Sequence, residues 1–122
     1  MEKIVTDKAP AAIGPYSQGI CVEGWVFTSG QIPVNPVDGS IPEGIVAQAE
    51  RSCLNVGAIL ESAGISFENV VKTTCFLADM EDFAAFNAIY EKHFISKPAR
   101  SCVAVRTLPK GVLCEIEAIA RK

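Results

Sequence analysis

The chain has 122 residues, a formal net charge of −3, and 49% hydrophobic against 20% charged residues. That is the length of one domain with ample apolar side chains for a core, which excludes intrinsic disorder and a two-domain arrangement. Eleven basic residues against 14 acidic ones imply no basic face for nucleic acid, and the single histidine, His93, starves multi-histidine metal sites and Ser-His-Asp schemes of candidates.

The N-terminal run to Tyr16 has no apolar core of the kind a secretory leader needs, and no run of about 18 apolar residues spans a membrane. The five cysteines (Cys21, Cys53, Cys75, Cys102 and Cys114) form no CxxC pair. They read as reduced thiols of a cytoplasmic protein, buried as small hydrophobes, with neither a disulfide frame nor a zinc site. Glycine and proline crowd the first 45 residues, so short strands and turns are predicted there. Gly19 to Glu23 and Trp25 to Ser29 read as a hairpin turning at Glu23-Gly24. Gly30 to Gly44 reads as a long proline-stiffened loop with its tightest turn at Asp38-Gly39.

Val46, Ala49, Cys53, Val56, Leu60 and Ala63 follow at helical spacing and predict one amphipathic helix, capped by Gly64. Val70 to Leu77 is a β-branched run with Val71, Thr73, Cys75 and Leu77 on one face. A second helix starts after Asp79 as N-cap, with Phe83, Phe86, Tyr90 and Phe94 as its apolar stripe and the amide of Asn87 set among them. Pro98 ends that region. Ser101 to Arg106 and Val112 to Ala120 are two more strands joined by the Leu108-Pro109-Lys110-Gly111 turn.

The predicted order is β-β-α-β-α-β-β, a single α+β domain over residues 1–122. It is a two-layer sandwich of a mixed sheet with both helices on one face. The uncovered face still carries apolar residues, which calls for self-association.

Arg100 and Cys102 are two apart in a strand and share a side. A guanidinium there is a rigid fork for a carboxylate or phosphate, or else a snorkelling surface arginine. Glu115 and Glu117 also share a face, and one of them suits general acid or base work while the other suits a solvated surface. A symmetric hairpin of the last two strands sets Glu115 opposite Val103, away from Arg100; a one-residue shift or bulge changes that pairing, and the sequence leaves open whether the two meet within one chain or across chains. Cys102 has no histidine nearby in sequence to lower its pKa, which disfavours a nucleophilic role. No GxSxG, GxGxxG or GxxxxGK[ST] motif is present, so neither a serine hydrolase elbow nor a nucleotide site is supported.

Five segments, Ile13 to Gln18, Thr28 to Pro33, Val71 to Thr74, Pro98 to Val103 (PARSCV) and Glu115 to Ala118 (EIEA), occur in the order and spacing of one family. On these segments the chain resembles the RidA (YjgF-type) family of enamine/imine deaminases over essentially its whole length. The resemblance implies a chorismate-mutase-like fold and a homotrimer with sites in clefts between subunits. It implies hydrolysis of reactive 2-enamine/2-imine acids, such as 2-aminoacrylate, 2-iminopropanoate and 2-iminobutanoate, to 2-keto acids and ammonia. PLP-dependent dehydratases release such compounds, and the family itself uses no cofactor or metal.

Carried over by position, Arg100 would hold the substrate carboxylate, Glu115 would activate water and shuttle its proton, and Tyr16 would close the pocket. Ser101 and Cys102 would supply backbone contacts, and Ser29, Gly30 and Asn87 would shape the wall. This chain departs from the family between Phe94 and Pro98, where it is short and carries Lys97 before the proline. Two readings of another class compete: a small-carboxylate or 2-keto-acid sensor that needs Arg100 alone, and a holdase-type chaperone that needs a large exposed apolar surface. Cleavage of RNA, linked to some members, fits poorly with the acidic balance and lone histidine.

Overall fold

A computed structural model describes residues 1–122. Six strands, β1 (Glu2–Ile4), β2 (Gly19–Val22), β3 (Trp25–Thr28), β4 (Val70–Leu77), β5 (Ala99–Ala104) and β6 (Cys114–Arg121), form one mixed sheet in the order β1-β2-β3-β6-β4-β5. Two helices, α1 (Ile45–Ser62) and α2 (Phe83–His93), pack against each other over one face. Only β4 and β5 run parallel, and α2 is their crossover, as parallel neighbours require. This is the α+β two-layer sandwich expected from the sequence.

Local chemistry explains most boundaries. Glu23 and Gly24 both take positive φ (49° and 81°), the two-residue turn whose twist suits a hairpin. At the end of α1, Gly64 has φ 78°; its N–H donates to the Glu61 carbonyl and that of Ile65 to the Leu60 carbonyl, a Schellman motif. The Asp79 side chain accepts from the Glu81 N–H, but it caps a single 3-10 turn (Met80–Asp82) that leads into α2. His93 Nε2 lies 2.7 Å from Glu50 Oε1 and ties the C-terminal end of α2 to α1.

Five expectations are corrected. A first strand, β1, precedes the predicted hairpin, because Glu2, Lys3 and Ile4 pair with Cys21, Ile20 and Gly19. The last two strands form no hairpin: β4 lies between β5 and β6, and the Val105–Leu113 connection steps over it. Their extents also move, to Ala99–Ala104 and Cys114–Arg121. On β4 the register shifts between Val70 and Lys72; Val70 turns inward and Val71 outward, while Thr73, Cys75 and Leu77 share one buried face.

On α1, Val46 is 55% exposed, and the buried face includes the polar Gln48, Ser52 and Asn55. These serve the loops above them. Asn55 Nδ2 donates to the carbonyls of Ile32 and Val34 at 3.1 and 2.9 Å, and Gln48 bonds the Pro42 carbonyl and the Leu113 N–H. α1 therefore anchors both the long loop after β3 and the entry to β6.

The core lies between sheet and helices, with Val26, Ile59, Leu60, Leu77, Phe86, Phe94 and Ile116 fully buried. Val112, Cys114, Ile116, Ala118 and Ala120 are all buried, as the alternation in the last strand predicts. The opposite face of the sheet carries Trp25, Phe27 and Val103, each exposed, with Phe76 and Ile119 half-buried beside them. No helix is long and apolar enough to cross a membrane.

Candidate active site

Strand register decides where each predicted site residue points. Thr73 of β4 pairs with Arg100 on one side and Ala118 on the other, and Cys75 pairs with Cys102 and Ile116. This row faces the helices. Phe76 pairs with Val103 and Glu115, and Thr74 with Ser101 and Glu117. That row faces away from them. Arg100 and Cys102 thus share a side as predicted, while Glu115 and Ser101 lie on the opposite face of the sheet. Within one chain, Arg100 and Glu115 do not meet.

Arg100 sits on the edge strand β5, where its side chain turns under α2. Its Nη1 donates to Asn87 Oδ1 at 2.7 Å, and its guanidinium carbon stands 4.7 Å from the Tyr90 ring centroid and 5.5 Å from that of Phe83. Two aromatic faces and one amide thus orient the fork, and four of its five N–H groups stay free for an incoming anion. No carboxylate of the chain comes within ion-pair distance of Arg100, since the one ion pair is His93–Glu50.

Tyr90 is itself fixed by a 2.6 Å hydrogen bond between its hydroxyl and that of Thr73. Burial pushes its phenol up to about 12, so it stays neutral beneath the cation. Arg100, Asn87 and Tyr90 line an open cleft of about 660 Å³. Cys102 is half-buried beside Cys75, and burial raises its thiol. That disfavours a nucleophilic thiolate, as the sequence suggested.

Glu115 builds the second half. Past Thr28, whose hydroxyl accepts the Ala118 N–H, the chain bulges through Ser29 and Gly30 and pairs again where Gln31 bridges Ile116. The Glu115 carboxylate fills the space where a side chain on Gly30 would stand, so any larger residue at 30 would displace it. Burial first, and the neighbouring Glu117 second, raise the Glu115 carboxyl above the usual range. A carboxyl so placed exchanges a proton nearer neutrality than a solvated glutamate does.

Gly30 also lines a hollow of about 250 Å³ together with Tyr16, Gln31 and Lys110. Tyr16, 53% exposed, rides on the loop between β1 and β2. That loop is pinned twice: Ser29 donates its hydroxyl to the Ser17 carbonyl, and Gln18 bonds the Thr6 N–H and the carbonyls of Thr6, Ala9 and Pro10. Ser29 therefore holds the loop that carries Tyr16. Ser101 is exposed on the outer face, 3.5 Å from Lys72 Nζ.

Sequence reasoning missed three contributors. Phe83 and Tyr90 were assigned to a core stripe, though they also hold the guanidinium; an apolar stripe at helical spacing gives no sign of a cation on its rim. Lys110 was read only as a turn residue. Its positive φ of 56° and its place beside Tyr16 and Gly30 appear only once β6 is set next to the β3 bulge. No group of three or more His, Cys, Asp or Glu side chains is arranged to hold a metal ion.

Comparison with known proteins follows the same elements. The chain is 56% identical to a RutC family protein of Pasteurella multocida, covering 100% of this chain and 99% of that one. It is 54% identical to the 2-iminobutanoate/2-iminopropanoate deaminase of Escherichia coli K12, over 96% and 94% of the two chains. Its fold superposes on the crystal structure of the YjgF gene product of E. coli with a TM-score of 0.97 at 51% identity, over 100% of this chain and 99% of that one. A family model described as endoribonuclease L-PSP matches residues 6–122. With a match of that length and relatives of that identity, the chain belongs to the YjgF/RidA family.

Proposed function

We propose that this protein hydrolyses 2-imino acids, and the 2-enamine acids that tautomerise to them, to 2-keto acids and ammonia. The observation that carries the reading is the pair of half-sites. Arg100 is an oriented, unpaired fork for a carboxylate, and Glu115 is a carboxyl with a raised pKa packed where a side chain on Gly30 would stand. Because the two lie on opposite faces of one sheet, the working site draws Arg100 from one subunit and Glu115, Gly30 and Tyr16 from a neighbour. A homotrimer closes such a ring of identical contacts, and the apolar outer face with Trp25, Phe27 and Val103 supplies the surface to bury.

The reaction needs little equipment. Arg100 holds the substrate carboxylate in bidentate fashion. Glu115 takes a proton from water as its oxygen adds to C2, which converts the C=N bond to a carbinolamine. Glu115 hands that proton to nitrogen and then takes the carbinolamine hydroxyl proton on to the leaving nitrogen, so that the C–N bond breaks and ammonia leaves as the carbonyl forms. An imine is already electrophilic, so positioning and one proton carrier suffice without metal or covalent nucleophile. The supply is PLP-dependent dehydratases, which release imines of this kind. The 54% identical deaminase of E. coli supports the activity class.

The test couples a serine or threonine dehydratase to the protein with semicarbazide as imine trap. Wild type should suppress the semicarbazone; Arg100→Ala and Glu115→Ala should not. Glu115→Ala that still binds a 2-keto acid assigns the proton carrier. If wild type leaves the semicarbazone unchanged yet binds 2-keto acids, the protein is a carboxylate sensor. If it does neither but binds an apolar dye in its assembled form, the holdase reading takes over.

A further inference from the structure

We propose that the cleft beside Arg100 selects imino acids bearing a second carboxylate on the side chain, and that Lys97 is the residue that selects them. This rests on the imine-hydrolysing function above and names its substrate class. The cleft of about 660 Å³ is lined by Lys97 and Lys92 as well as by Arg100, against one acid, Glu91. None of the three cations meets a carboxylate of the chain within ion-pair distance. The cleft therefore holds more positive charge than one α-carboxylate requires.

The backbone at Lys97 is strained. Its φ is 51°, in the left-handed region that favours glycine. It also directly precedes Pro98, and residues before proline are pushed towards extended conformations instead. Glu23, which also has positive φ, is explained by its hairpin turn. Glycine at 97 would relieve the strain, yet the chain keeps a lysine. Strain retained at a cleft points to a task for the side chain.

The turn is held firmly. The Lys97 N–H donates to the Phe94 carbonyl at 3.1 Å, and Ser96 Oγ donates to the Val70 carbonyl at 2.7 Å. Lys97 and Arg100 are three positions apart, at most about 10 Å between Cα atoms, and the four-carbon lysine stem closes the remainder. Two cations so spaced suit an α-carboxylate on Arg100 and a side-chain carboxylate on Lys97. The chemical step is unchanged: water adds at C2, ammonia leaves, and the product keeps both carboxylates.

The experiment generates the imines of 2-aminobutanoate and of glutamate in situ with amino-acid oxidases and follows their loss to semicarbazide. Wild type should show the higher kcat/KM on the glutamate imine. Lys97→Gln should lower the glutamate-to-aminobutanoate ratio about tenfold, the worth of one charged hydrogen bond, and Lys97→Arg should restore it. Lys97→Gly should lose the preference while melting no lower than wild type, which separates selection from folding. An unchanged ratio in Lys97→Gln, or a ratio that falls only in Lys92→Gln, overturns the assignment. Turnover of the aminobutanoate imine with no preference for the glutamate imine overturns the selectivity alone. Turnover of neither overturns the hydrolase reading beneath it.

Discussion

Arg100→Ala and Glu115→Ala chains should rescue one another when mixed. Arg100 projects from β5 towards the helices and Glu115 from β6 away from them, with β4 between. Two strand spacings alone are about 10 Å, before the opposite projection is added, so one small imino acid cannot touch both groups of a single chain. Each variant alone should be inactive, because every site lacks either the anion fork or the proton carrier. In an equal, random mixture a site is intact when its arginine comes from the Glu115→Ala chain and its glutamate from the Arg100→Ala chain. One half times one half leaves about a quarter of wild-type sites if each site spans two subunits of a closed ring.

The assay is imine turnover after co-expression, or after joint unfolding and refolding. An equal mixture of wild type with the Arg100→Ala/Glu115→Ala double variant is the control. Sites spanning two chains predict about a quarter for both mixtures, whereas sites within one chain predict about half for the control and none for the single-variant mixture. A single-variant mixture at background beside a half-active control would refute the shared site.

Further outcomes follow from the same geometry. Because burial and Glu117 raise the Glu115 carboxyl, the acidic limb of kcat/KM against pH should lie above the ordinary glutamate range, and Glu117→Gln should move it to lower pH. The sign for stability is the reverse of a salt-bridged acid. The fold favours the protonated form, so this contribution is present at low pH and is lost as pH rises through the raised pKa. Glu115→Gln should therefore remove that loss and melt higher than wild type at neutral pH, which calorimetry measures.

Gly30→Ala should abolish turnover while the far-ultraviolet spectrum stays native, since the new methyl group takes the place of the Glu115 carboxylate. Survival of full activity would remove Gly30 and Glu115 from one site. Asn55→Ala should cost about 2–3 kcal/mol in urea unfolding, because the carbonyls of Ile32 and Val34 lose their partner. Burial raises the thiols of Cys75 and Cys114, to about 12 and about 11, and raises that of Cys53 as well. All three should resist alkylation at pH 8 until the protein unfolds, as mass mapping would reveal.

Much of this protein is written in local pattern. The spacing of Ala49, Cys53, Val56 and Leu60 made α1, and Gly64 ended it. The alternation from Val112 to Ala120 made the buried face of β6, and Glu23-Gly24 made the β2–β3 hairpin. Arg100 and Cys102 share a side because a strand repeats every two residues, whatever lies beside it. That the outer face stays bare of helices also follows from the element count, since two helices cannot cover both sides of a sheet.

Pairing between distant strands is another matter. Nothing local says that β4 inserts between β5 and β6, and that insertion, with the register it sets, puts Arg100 and Glu115 on opposite faces. The bulge at Val71 depends on β6, and the one at Ser29 and Gly30 brings Glu115 against a bare glycine. Gln48 and Asn55 on α1 are buried, which its apolar spacing does not show, because the loops after β3 and before β6 take their amides. Local spacing determines which side of its own element a residue occupies; only long-range hydrogen bonding decides which elements become neighbours, and so which chemistry is shared.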